Sequence, residues 1–266
     1  MKKINILIPW TLLIAVNIFW LGLNFRNNAV TNVFMPYLVE KFAAPEIRNT
    51  ALGAMRTAGL VIAMLVQPAI GLLSDRSTNR FGRRRPYLAI GVLFDVLLLI
   101  WIALAGNYWS LLAAMMLIQI SFNISHGALQ GLIPDLVPEA QRGTASAFKA
   151  IFELLPIVLI GITISPLVGA GNLTWAVVAT GVALVVILGI TLLSVHEEQM
   201  TEPMHTPIKP ALLRVLGMLG GILAGALSGL VIGGGIGFLV YLVAQLATGV
   251  ETARLFGIAA GGITSM

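Results

Sequence analysis

The sequence predicts an all-α polytopic membrane protein, and three observations carry that prediction. Of its 266 residues, 58% are hydrophobic and only 10% charged, with a mean hydropathy of +0.95; a soluble domain holds about 45–50% apolar and about 25% charged residues. The apolar residues run continuously over stretches of roughly 20, the length of a spanning helix, and do not alternate as in a barrel strand. The charges collect in short connections. The densest is GLLSDRSTNRFGRRRP at 71–86, with five arginines and one aspartate, and the positive-inside rule holds such a loop in the cytoplasm. Roughly seven to nine spans would fit this length.

Composition also excludes functions. With no cysteine, disulfides, thiolate metal sites and cysteine nucleophiles are ruled out. The net charge of +5 consists mostly of topological signals, so no nucleic-acid partner is expected; the partner composition implies is the lipid bilayer. Ser74 and Ser125 lack a histidine–carboxylate arrangement, and no metal-ligand or phosphate motif occurs. An enzyme, a cofactor and a metal site are therefore not expected.

The first span is placed at 7–37. It follows Lys2 and Lys3 and reads as an uncleaved helix rather than a signal peptide, because Asn24, Phe25, Arg26, Asn27 and Asn28 follow the apolar run with no small-x-small site. Its length predicts tilt or projection beyond the lipid. Five further spans are placed at 50–73, 86–106, 110–133, 144–168 and 174–194. The loops at 106–109 and 169–173 are uncharged and those at 74–85 and 135–143 charged. Both ends of this six-helix unit thus fall in the cytoplasm of a multi-pass cell-membrane protein. Lys2, Lys3, Arg76, Arg80, Arg83, Arg84, Arg85, Arg142 and Lys149 lie inside; Lys41 and Arg48 lie outside, with Arg56 near that end of the second span.

The bundle is assigned to 1–195, a polar, proline-containing cytoplasmic linker to 196–211, and a glycine-rich membrane segment to 212–266. In the last, Gly217, Gly221, Gly225, Gly229, Gly233 and Gly237 recur every fourth residue. Repeated Gly-x-x-x-Gly suits close backbone approach in lipid, so self-association or a partner helix is expected. The segment fits one tilted span or a hairpin bent around Gly233–Gly235. It ends on LFGIAAGGITSM without a polar tail, which fits either a natural end or a truncated product.

The Gly-x-x-x-Asp-Arg…Gly-Arg-Arg-Arg spacing of the basic loop resembles the connection between helices 2 and 3 of major facilitator superfamily transporters. GRRRPYLAIG at 82–91, GLNFRNNAVTNVFMPYL at 22–38 and NISHGALQGLIPDLVPEAQRGTASA at 123–147 are similar to plant sucrose transporters and related animal sugar transporters, with a more distant likeness to glycoside–pentoside–hexuronide cation symporters. The likeness spans about 1–195 and implies the six-helix N-terminal half of a major facilitator-type bundle whose C-terminal half is missing. The implied activity is secondary active transport of a sugar or glycoside, coupled to protons, by alternating access. The resemblance also implies a conformational latch built from Gly71, Asp75, Arg76, Gly82, Arg83, Arg84 and Arg85, with Arg142 as the candidate partner of Asp75. Gln119 and Gln130 stand where the plant transporters carry an acidic residue and an arginine, so Asp95 and Arg26 are candidate replacement charges. The alternative is a non-transporting assembly protein, or an inactive half-transporter, that oligomerises through its glycine stripe.

Charges inside a bilayer cost roughly 2.5–3.5 kcal/mol at a helix centre, which singles out Arg26, Arg56, Asp95, His126 and Glu153. Asp95 either takes and releases the coupling proton or pairs permanently with Arg26. His126 is a proton relay or a neutral, hydrogen-bonded pore histidine. Glu153 lies four residues after Lys149, so the two are expected to pair on one helix face. Asn24, Asn27, Asn28 and Thr31 recur at helical spacing as a polar stripe. Their amides can donate to and accept from sugar hydroxyls, and Trp20 can stack on a pyranose ring; otherwise these residues hold helices together. Asn123, His126 and Gln130 form a second stripe. The two stripes together predict a cavity near the membrane midplane.

Overall fold

In the computed structural model, the structure describes residues 7–195 and Glu197, together with Gly217, Gly221, Ser228, Ile236 and Leu239, which are helical and exposed. The chain divides into two compact units, residues 1–206 and 207–266. The remainder of the expected linker, and the glycine stripe beyond Gly221, lie outside the described residues, as do Lys2 and Lys3.

The first unit is a bundle of antiparallel helical rods, and no strand occurs among the described residues. The first rod runs unbroken over residues 10–42 as α1 (Trp10–Asn28), a π-helical turn (Ala29–Phe34) and α2 (Met35–Phe42). At 1.5 Å per residue it is about 50 Å long, well beyond a hydrocarbon core of about 30 Å, which accounts for the excess length seen in sequence. There follow α3 (Arg48–Asp75), α4 (Arg85–Leu104), α5 (Tyr108–Leu129) with the short α6 (Leu132–Leu136), α7 (Arg142–Ile162) with α8 (Ile164–Gly169), and α9 (Leu173–Ser194). Among the described residues, five stretches are long and apolar enough to cross a membrane: residues 45–75, 85–104, 108–136, 139–169 and 173–194. The first rod is not among them, because Asn17, Asn24, Arg26, Asn27 and Asn28 interrupt its apolar run.

Local chemistry sets the boundaries. Pro86 lies in the first turn of α4, where its missing N–H costs nothing. The Asn107 side chain accepts the Ser110 N–H at 2.9 Å and caps α5. Gly82 closes the arginine loop at φ +104, a backbone conformation that disfavours side chains.

α5 packs between α3 and α4, α1 between α7 and α9, and α4 also meets α9. Small residues allow the close approaches. A Cβ on Gly22 would lie 2.9 Å from Ile187 of α9, and one on Gly91 would collide with Ser125 of α5. Ser121 donates across that second contact to Gly91 O at 2.7 Å, the small-residue and hydroxyl packing that helices use when lipid offers no hydrophobic drive between them.

Two apolar clusters fill the bundle. One contains Phe34, Leu38, Met55, Leu99, Leu111 and Ile118; the other contains Leu13, Phe19, Leu23, Leu88, Leu129 and Leu184. Along α1, α4 and α5 the changeover from one cluster to the other falls at Arg26, Asp95 and Ser121, all fully or almost fully buried. A polar layer thus lies about midway through the bundle.

Candidate functional site

A cavity of about 390 Å³ opens between the first rod, α3 and α5. Asn27, Thr31, Asn32, Arg56, Gln67, Gln119 and Asn123 supply its polar lining, and Gly59, Leu60, Ala63 and Phe122 the rest. Local geometry decides which amides reach it. Asn24 donates to Trp20 O, Asn28 donates to Asn24 O, and Asn32 donates to Asn28 Oδ1, each at 2.9 Å. Asn24 and Asn28 are therefore engaged along their own helix. The π turn inserts an extra residue into the i→i−4 ladder, shifting the register so that both Thr31 and Asn32 line the cavity.

On the opposite wall the amides form a chain. Gln67 Nε2 donates to Asn123 Oδ1 at 2.6 Å, and Asn123 donates to Gln119 O at 2.6 Å. Gln130 Nε2 lies 3.3 Å from Gln67 Oε1 and 3.2 Å from His126 Nδ1. The spacing of Asn123, His126 and Gln130 was visible in sequence. Gln67, which joins them from α3, was not singled out, although it is a lone amide in an apolar run directly before Pro68. Two close approaches hold this wall. A Cβ on Gly59 would lie 2.6 Å from Gln119 Nε2, and one on Gly127 would lie 2.7 Å from Gln67 O.

Trp20 is buried rather than lining this cavity. The Lys149 ammonium lies 4.1 Å from its ring centroid, and His126 meets it edge-on at 5.2 Å. His126 also stacks on Phe122 at 5.3 Å. Lys149 and Glu153 pair at 3.6 Å, as the four-residue spacing anticipates.

Behind the cavity wall, Arg26 of α1 forms an ion pair with Asp95 of α4. The same guanidinium nitrogen donates to Ile118 O at 2.8 Å, and the group lies 5.3 Å from the centroid of Phe122. Both charges are fully buried. Phe122 therefore has one ring against the ion pair and the cavity, a position that apolar periodicity alone did not distinguish from core.

At the arginine-loop end, Arg84 is the hub. It lies 2.8 Å from Asp75 and 2.6 Å from Asp135, and also reaches Ser74 Oγ at 3.4 Å and Ala128 O at 3.2 Å. Arg83 pairs with Asp135 and lies 3.9 Å from Asp75. Glu197, just past α9, accepts the Arg84 N–H at 2.8 Å and the Arg85 N–H at 3.4 Å, so a carboxylate caps the start of α4. The Arg85 side chain donates to Leu192 O.

The expected pairing of Arg142 with Asp75 is corrected. Arg142 instead donates to Pro134 O at 3.0 Å and Val137 O at 3.4 Å, folding back on the carbonyls that end α6, while Arg84 occupies Asp75. A Cβ on Gly71 would meet nothing within 4 Å, whereas one on Gly131 would fall on the Arg84 guanidinium and one on Gly82 would lie 2.6 Å from Glu197 Oε2. Gly71 contributes its carbonyl, which accepts from Ser74 Oγ at 3.0 Å. Arg76 ends α3 through its backbone N–H on Leu73 O.

The family model described as MFS/sugar transport protein matches residues 18–255. The chain belongs to this family. The match runs beyond the 1–195 span of the sequence resemblance, so the family likeness extends into the glycine-rich segment. Membership places the chain in a family of multi-pass membrane transport proteins.

The chain is 50% identical over 64 residues to the human proton-associated sugar transporter A, covering 20% of this chain and 9% of the relative. It is 41% identical over 49 residues to the sucrose transport protein SUT1 of Oryza sativa subsp. japonica, covering 18% and 9%, and 28% identical over 111 residues to the sucrose transport protein SUC3 of Arabidopsis thaliana, covering 34% and 19%. The matched segments thus span a fifth or less of these relatives' lengths. In fold, it is similar to the crystal structure of the POT family transporter PepTSo, with a TM-score of 0.58 at 13% identity, covering 97% of this chain and 53% of that one.

Proposed function

We propose that this family member takes part in proton-coupled transport of a sugar or glycoside across a cell membrane by alternating access, with its N-terminus in the cytoplasm. The observation that carries the reading is the midbundle cavity walled by amides from three helices, with the Arg26–Asp95 pair one aromatic ring behind it. Amides match hydroxyls in both donor and acceptor roles. A carboxylate at that depth is positioned to take a proton and, once neutral, to release its arginine, which links protonation to helix packing between α1 and α4. The names of the human and plant relatives support a sugar as substrate. The charge cluster around Arg84 ties α3, α4 and the α5–α6 corner together as the latch for one state.

The substrate reading is tested by equilibrium binding of labelled sugars to the reconstituted protein. Asn27→Ala and Gln119→Ala should each weaken binding by about 0.5–1.5 kcal/mol for a lost neutral hydrogen bond, whereas Asn24→Ala and Asn123→Ala, whose amides are engaged within their own helices, should have smaller effects. Unchanged affinity in both cavity variants, in properly inserted protein, would return these amides to packing.

Orientation is tested by cysteine labelling. A Cβ on Gly143 or on Gly106 meets nothing within 4 Å, so both positions accept cysteine. In intact cells an impermeant maleimide should label Gly106→Cys and leave Gly143→Cys unlabelled until the cells are opened. The reverse pattern would invert the topology.

A further inference from the structure

The Arg26–Asp95 pair occupies only one of the carboxylate's two oxygens. Arg26 Nη2 donates to Asp95 Oδ1, while Oδ2 is buried and makes no hydrogen bond among the described residues. Ser121 of α5, itself buried, stands beside that carboxyl. Its hydroxyl donates to Gly91 O at 2.7 Å, and Gly91 O is the carbonyl that the Asp95 N–H meets in the α4 ladder. A serine hydroxyl has one hydrogen and two lone pairs. With its hydrogen committed to Gly91 O, Ser121 can offer Asp95 only a lone pair. An ionised carboxylate is acceptor-only and gains nothing from that; a protonated one has an O–H to give.

We propose, building on the proton-coupling reading of Asp95, that Ser121 is a positioning residue for the coupling proton: the proton settles on Asp95 Oδ2 and is held there by donation to Ser121 Oγ. The proton comes from water, one O–H bond forms at Oδ2, and Ser121 keeps its own hydrogen on Gly91 O throughout. The same hydroxyl thus ties the protonated carboxyl to the α4–α5 contact. Arg26 of α1 is the charged group that faces Asp95. α9, which also packs on α4, carries no charged residue and no histidine. On α5, His126 lies against Trp20 and Phe122, and the other charge of α4, Arg85, donates to Leu192 O at the start of that helix.

The test is an infrared pH titration of the full chain in lipid vesicles. It follows the carboxylic-acid carbonyl band that the double variant Asp95→Asn, Arg26→Gln lacks. Ser121→Ala should move that band to higher frequency, because a carboxyl without a hydrogen-bond acceptor has a stiffer C=O. It removes a partner of the protonated form alone, so the midpoint of the band should fall by about 0.5–1 pH unit, the worth of one neutral hydrogen bond. Ser121→Cys, close in size but a weak acceptor, should shift in the same direction and carries the test where the alanine variant inserts poorly. Ser125→Ala removes the neighbouring hydroxyl bond of the same helix contact, to Leu88 O at 3.3 Å, and should move neither band nor midpoint. An unmoved or raised midpoint in the Ser121 variants, or an equal shift in Ser125→Ala, would overturn the inference while leaving the coupling reading standing. Absence of any titrating band that disappears with Asp95 would overturn the coupling reading, and this inference with it.

Discussion

Asp95→Asn should abolish uphill accumulation of substrate in vesicles carrying the transporter while sparing exchange of substrate down its own gradient. Asparagine keeps the size of the side chain and an oxygen for the Arg26 guanidinium, but it cannot exchange a proton. Net accumulation requires a proton to be carried and released in each cycle; exchange does not. The pair is fully buried, and breaking a buried pair from one side typically costs about 3–5 kcal/mol, because the remaining charge is uncompensated. Reduced insertion or thermal stability should therefore accompany the loss. Arg26→Gln in the same protein removes that stranded charge and should restore folding without restoring accumulation. Full proton-driven accumulation by correctly inserted Asp95→Asn protein would eliminate the coupling role and leave the pair as a packing element.

The second large effect is expected at Arg84. Arg84→Met removes the guanidinium from Asp75, Asp135, Ser74 and Ala128 together, and leaves two carboxylates that only Arg83 still approaches. The arginine is buried while the side chains of Asp75 and Asp135 are 31% and 30% exposed. The loss therefore falls between that of an exposed and a buried pair, at about 2–3 kcal/mol. That is a shift of roughly 30- to 150-fold in the balance between the latched state and its alternative. Because the cluster lies away from the cavity residues, turnover should fall by about tenfold or more while substrate affinity changes much less. Asp75→Asn should act in the same direction with a smaller effect. Arg84→Lys should not rescue, since an ammonium cannot serve two carboxylates and two further acceptors in one fixed fork. Ser77→Ala, in the same loop, should leave turnover unchanged. Wild-type turnover in Arg84→Met would reduce the loop to a topology signal.

How much was legible in the sequence differs from one residue to the next. The apolar runs specified their own helices, because in lipid each backbone N–H and C=O must be satisfied within its segment; the starts of α4 and α9 came out within a residue of 86 and 174. The pairing of Lys149 with Glu153 was readable for the same reason: it depends on one helix's own periodicity. The arginine cluster was legible as a unit, but its wiring was not. Loop 76–84 can fold back in several ways, and only the approach of Gly131 and the α5–α6 corner puts Arg84, rather than Arg142, against Asp75.

The cavity shows the same division. Sequence determined that α1 and α5 carry amides and that charges sit inside spans, since those are statements of identity and spacing. Tertiary structure decided which of them face one another. The π turn at Ala29–Phe34 broke the 3.6-residue register on which the Asn24, Asn27, Asn28, Thr31 stripe was read, bringing Asn32 to the cavity while Asn24 and Asn28 bond within their own rod. The packing of α3 on α5 brought in Gln67 and Arg56, which share no periodicity with either stripe. Helical spacing fixes only angles about one axis; which side chains share a cavity depends on the distances and rotations between axes, and these follow from small-residue contacts such as Gly59 on Gln119 and Gly127 on Gln67 that act across the chain rather than along it.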